Sequence, residues 1–113
     1  MKQTKTTSIR LPLDLEKRML STIVSDGYGL RGKSKWMQEA ISDFLKIPNF
    51  EEYVDIASEM TGLSKTISLR INLDLWESLE ESVEVVRKKN PLLDAARSNL
   101  IRASIFQKLL RKV

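Results

Sequence analysis

Two short stretches of the chain alternate with a period of two. In residues 65–71, Ile67, Leu69 and Ile71 alternate with Thr66, Ser68 and Arg70. Sixty residues earlier, Ile9 and Leu11 alternate with Thr6, Ser8 and Arg10. This is the pattern of a strand with one dry and one wet face. Elsewhere the apolar positions recur three and four apart, which predicts helices. The first strand, 5–11, stops at Pro12, and a helix over 14–26 follows with Leu15, Met19 and Ile23 inward and Leu20 and Val24 beside them. Asp14 stands at its N-cap or in its first turn. Asp26-Gly27-Tyr28-Gly29 ends it. Ser34 then caps a helix over 35–46 built on Trp36, Met37, Ala40, Ile41, Phe44 and Leu45, and Pro48 closes the unit.

Asn49 opens a short helix, 50–61, with Glu52 at capping-box spacing, Gly62 at its end, and Phe50, Tyr53, Val54 and Ala57 on its apolar side. The second strand, 65–71, leads into a helix over 74–88 on Leu75, Leu79, Val83 and Val86, broken at Asn90-Pro91. Its last turn, Arg87-Lys88-Lys89, suits the negative end of the helix dipole. Ser98 caps a last helix, 99–111, on Leu100, Ile101, Ile105, Leu109 and Leu110. Residues 1–4 read as a flexible arm with Lys2 free to meet a phosphate. Trp36, Phe44 and Trp76 read as core rather than as stacking platforms.

The order strand, helix, helix thus occurs twice, in 1–46 and 65–113, joined by a helical linker over 47–64. Between Lys5–Leu15 and Lys65–Leu75, seven of eleven positions are identical, and three of the seven are the wet-face positions themselves. Dry positions exchange, Ile9 for Leu69 and Leu11 for Ile71, as packing tolerates. A face that reads something tolerates less. Ser34 and Ser98 are 64 apart where the strands are 60 apart, so the second copy holds four more residues before its last helix.

Hydrophobic content of 42% and charged content of 30% are those of a folded globular chain. With neither cysteine nor histidine, disulfides, thiol chemistry, the usual zinc ligand sets and histidine acid–base catalysis are excluded. Carboxylates are scattered over helices, and the Gly27/Gly29/Gly32 cluster joins two helices rather than following a strand as a phosphate loop does. The expectation is a non-enzyme without cofactor or metal. No apolar run approaches the ~20 residues of a membrane span, and the first residues lack a signal-peptide core, which predicts a cytoplasmic protein without a membrane partner. The net charge is +4, but residues 47–64 carry four acids and no Lys or Arg, so the rest of the chain carries +8. A basic body with one acidic patch fits a polyanionic partner met on a defined side.

The seven-residue strand, helix, turn and Ser-started helix resemble the ribbon-helix-helix fold of the MetJ/Arc superfamily, whose members read DNA grooves with strands. Two copies in one chain resemble the tandem arrangement of the TraY proteins of conjugative plasmids. The phrase Phe44-Leu45-Lys46-Ile47-Pro48-Asn49-Phe50 is similar to the Lys-aromatic-Pro-x-Phe wording of their helices. The chain departs from that pattern in its acidic linker and in Asn72, which stands where the first copy has Pro12. The resemblance implies a mostly α fold with a two-stranded antiparallel ribbon, a single-chain pseudo-dimer. It implies a sequence-specific binder of double-stranded DNA serving transcription or the relaxosome of a mobile element, with a relaxase and further copies of itself on adjacent DNA as possible partners.

Carried over by position, the base-reading residues are Thr6, Ser8, Arg10, Thr66, Ser68 and Arg70. If Ser8 faces Ser68, then Thr6 faces Arg70 and Arg10 faces Thr66, which keeps the arginines apart and sends all six side chains to one side. Arginine can take guanine O6 and N7 together, and Ser or Thr can serve either base type. The helix starts at Ser34 and at Ser98-Asn99 would turn backbone N–H groups toward flanking phosphates, or serve as plain caps. Lys5, Lys65, Lys33, Lys35 and Arg97, with Arg31 and Arg102, would add charge there. The rival reading is an antitoxin-like module that neutralises a partner protein. Antitoxins of this fold usually end in a disordered partner-binding tail, for which a last helix running almost to Val113 leaves no room.

Overall fold

The structure, a computed structural model, describes residues 3–29 and 31–111. Lys2, expected in a flexible arm, lies outside the described residues. Seven elements follow in order: β1 (Thr4–Leu11), α1 (Leu13–Ser25), α2 (Lys33–Phe44), α3 (Phe50–Ala57), β2 (Lys65–Asn72), α4 (Leu73–Lys89) and α5 (Ala96–Leu110). β1 and β2 form a two-stranded antiparallel sheet in a mostly α molecule. Ser8 pairs with Ser68, Thr6 with Arg70 and Arg10 with Thr66, the register expected from the alternation. Ile9, Leu11, Ile67, Leu69 and Ile71 are buried on one side of the ribbon.

The ribbon lies on a layer of helices arranged crosswise. α2 packs against β2, and α5 packs against β1 as well as α1, α2, α3 and α4. Two side chains join helix to strand in the same crossed sense. Gln38 Oε1 accepts from the Asn72 backbone N–H at 2.8 Å, and Arg102 donates to the Arg10 carbonyl oxygen at 3.0 Å. With the 64-residue offset between the second helices, Gln38 and Arg102 occupy equivalent positions. The core is continuous from Leu15, Met19 and Ile23 through Trp36, Met37, Ala40, Ile41 and Phe44 to Leu79, Val83, Leu100, Ile101 and Ile105. Phe44 also meets Phe50 edge-on, with ring centroids 5.8 Å apart. Among the described residues no helix is long and apolar enough to cross a membrane.

Several helix ends differ from expectation, each for a local reason. α2 begins at Lys33, with Gly32 as its cap residue and Trp36 N–H bonded to the Gly32 carbonyl. Ser34 is therefore the second residue of the helix and does not cap it. A Cβ at position 32 would run into Tyr28, so glycine is needed where the chain folds back. Ser98 likewise falls inside α5, whose cap residue is Ala95. Asn49 precedes α3 with φ 60°, a left-handed conformation in place of the extended one that a side-chain cap requires, and the expected capping box does not form. α3 ends at Ala57 rather than near Gly62, because Glu59 and Met60 bond back three residues, to Ile56 and Ala57, in tighter turns. Gly62, with φ 68°, lies in the connection to β2. The helix expected over 35–46 stops at Phe44, while Leu20, Val24 and Leu110, read as apolar-face residues, are exposed.

Candidate nucleic-acid interface

All six expected reading residues, Thr6, Ser8, Arg10, Thr66, Ser68 and Arg70, are exposed and lie on the face of the ribbon away from the core. The strand period delivers this. Ile9 and Leu11 on β1 and Ile67, Leu69 and Ile71 on β2 are held in the core, so the residues that alternate with them must face out. Neither arginine makes an ion pair among the described residues. Sequence reasoning missed Thr4. β1 starts one residue earlier than its apolar alternation indicates, and Thr4 is exposed on the same face, opposite Asn72. The Leu73 N–H to Gln3 carbonyl bond extends the pairing past the last apolar residue, where hydropathy carries no signal.

Lys5 and Lys65 are exposed but stand at core-side positions, opposite Ile71 and Leu11 at the two ends of the ribbon. They border the polar face rather than sit on it. The starts of α2 and α5 flank the ribbon on its crossed partners. Ser34 Oγ accepts a long bond of 3.4 Å from the Arg70 backbone N–H, which brings Lys33, Ser34 and Lys35 close to β2. Arg102 anchors the first turns of α5 to β1 at Arg10.

These two helix starts share a feature absent from the other three. α1, α3 and α4 carry acids in their first turns, at Asp14 and Glu16, Glu51 and Glu52, and Asp74. α2 and α5 carry none. The positive end of a helix dipole favours acids in that turn. Lys33 and Lys35 at the start of α2 add cations where the dipole is already positive, a combination that an external anion relieves, whereas Arg97 at the start of α5 is met by Glu80.

The second cluster is more inward than expected. Asn99 is buried, its amide donating to the Asp94 carbonyl and its oxygen accepting from Arg102. Arg102, expected to add surface charge, is 5% exposed, and its Nε has no partner among the described residues. Burial and the nearby Arg10 charge both lower its pKa. Arg97 donates to Glu80 at 2.6 Å and lies over the Trp76 ring at 5.1 Å. This pairing holds the Glu80 carboxyl below its usual range. Ser98 is half-buried. In the first cluster Lys35 is exposed, 5.9 Å from the Tyr28 ring centroid, and Arg31 is exposed. The Tyr28 hydroxyl donates to Glu39, which raises its pKa to about 12. The α2 end therefore presents exposed cations at Arg31 and Lys35, and the α5 end presents mainly backbone and a tethered guanidinium. Trp36 and Phe44 are fully buried, and Trp76 is half-buried beneath Arg97.

Comparison with protein-family models, with curated proteins and with solved structures finds no match for this chain.

Proposed function

We propose that the chain is a tandem ribbon-helix-helix protein whose two copies fold into one pseudo-dimer and whose ribbon reads the major groove of double-stranded DNA. The observation that carries the reading is the duplicated polar face. Thr6, Ser8 and Arg10 lie opposite Arg70, Ser68 and Thr66, all exposed, on a surface bordered by the two helix starts that lack acids. The crossed Gln38 and Arg102 contacts support the pseudo-dimer, since each second helix grips the other copy's strand. On this reading Arg10 and Arg70 take guanines from opposite corners of the ribbon, Ser and Thr take neighbouring base edges, and Lys33, Lys35 and the backbone at both helix starts hold phosphates. Covalent fusion makes strand pairing intramolecular and lets the two half-sites differ. The resemblance to TraY, in the tandem order of the two copies and further in residues 44–50, would put such a protein at the transfer origin or promoters of a mobile element.

Selection of bound duplexes from a random pool, followed by titration of the winning site, tests the reading. Arg10→Ala or Arg70→Ala weakens binding to that site by about 1–3 kcal/mol and relaxes base preference, whereas Lys35→Ala weakens every duplex alike and lowers the salt slope by about one. Uniform loss with the arginine variants, or no enriched sequence, overturns base readout.

A further inference from the structure

α1 and α4 are equivalent helices of the two copies, and each packs on α2 and α5 rather than on the other. Their outward faces have diverged where the strands have not. Under the 60-residue offset, Lys17 corresponds to Glu77, Leu20 to Glu80, Ser21 to Glu81, Val24 to Glu84 and Ser25 to Val85. On α1 a shallow depression is lined by Lys17, Leu20, Ser21, Val24 and Ser25, with Leu20 43% and Val24 57% exposed. Arg18 is exposed nearby, and no acid lies between Lys17 and Ser25. On α4, Glu77, Glu81 and Val85 follow at four-residue spacing along one exposed strip, Val85 being 44% exposed. Glu77 and Glu81 make no ion pair among the described residues.

We propose that these faces are the two halves of a head-to-tail contact between copies of the chain, the cationic, apolar face of α1 docking on the acidic, valine-bearing face of α4 of the next molecule. The occupant is a second copy because the complement is present on the same chain. Two α1 faces would oppose Lys17 and Arg18 to each other, and two α4 faces would oppose Glu77 and Glu81. A like-with-like contact is therefore repelled and the unlike one attracted. The exposed Leu20, Val24 and Val85 supply apolar area that the charges align. A heterologous contact of this kind propagates rather than closes. The inference rests on the equivalence of the two copies but not on what the ribbon binds.

The absence of cysteine makes cross-linking a direct test. Leu20→Cys chains and Val85→Cys chains are mixed at low salt without DNA and oxidised. Random pairing of equal amounts gives the mixed disulfide dimer twice the yield of each self-pair; the contact raises it well above that ratio, and high salt brings it back, as screening of surface charge requires. Lys17→Glu with Arg18→Glu in the first chain lowers the mixed yield about tenfold. Glu77→Lys with Glu81→Lys in the second chain restores it. A mixed yield at the random ratio of twice each self-pair, an excess of either self-pair, or no rescue by the second charge reversal overturns the contact. All the altered side chains are exposed, and circular dichroism verifies their fold. Duplex affinity measured on the same variants separates this outcome from that of the DNA reading.

Discussion

The guanidinium of Arg102 sits beneath the edge of the ribbon, bonded to the Arg10 carbonyl and to Asn99 Oδ1 at 2.7 Å. Removing it leaves the buried Asn99 Oδ1 and the part-buried Arg10 carbonyl without that donor, as well as a cavity. Arg102→Ala is expected to lose about 2–4 kcal/mol in urea denaturation. Arg102→Met, which fills the space and is spared the desolvation of a charge, loses less. Glu80 gives a pH signature. Arg97 depresses its folded pKa below the ordinary 4.5, so its contribution is complete above that value and is lost as pH falls through the folded pKa. Both side chains are about one-third exposed, which keeps the effect within ~1 kcal/mol. Thermal melts between pH 6 and 3 should show a shallower acid slope for Glu80→Gln than for the unaltered chain. The fate of Arg97, Asn99 and Arg102 was not legible in the sequence. Glu80 lies on another helix from Arg97 and the Arg10 carbonyl 92 residues from Arg102, and a Lys or Arg near a helix start reads the same whether it faces solvent or turns inward.

Among the elements, the strands were the most legible. Apolar alternation fixes both face and register once the two copies pair, and Ile9, Leu11, Leu69 and Ile71 are buried as it requires. Helix starts were the least legible, because Ser34 and Ser98 have the chemistry of caps but lie inside their helices. Backbone demands decided those positions, a fold-back at Gly32 and a left-handed Ala95 with φ 51°. Ala95 carries a Cβ in a conformation that glycine adopts without penalty. Ala95→Gly should therefore raise stability by about 0.5–1 kcal/mol, read as an upward shift of the melting temperature. The start of α4 is the counter-case. Asn72 Oδ1 accepts from the Leu75 N–H at 2.8 Å, and Asn72→Ala is expected to cost about 1 kcal/mol.

At the scale of the whole molecule, both strands of the ribbon belong to one chain and the crossed helices bury a shared core. Unfolding should accordingly be a single cooperative step. At high salt, where the proposed contact between copies is screened, its midpoint should not change with protein concentration across the micromolar range, in contrast to a dimer held together by strand pairing. Calorimetry at several concentrations checks this. The register carries a last consequence for the proposed reading. Arg10 sits opposite Thr66 and Arg70 opposite Thr6, so the arginines are offset by four residues along the ribbon, about 13–14 Å. Duplex DNA rises ~3.4 Å per base step. The antiparallel pairing is thus a ruler. On the proposed reading it would space the two guanine contacts about four steps apart whatever bases lie between, and an operator with one base inserted there would satisfy only one arginine at a time.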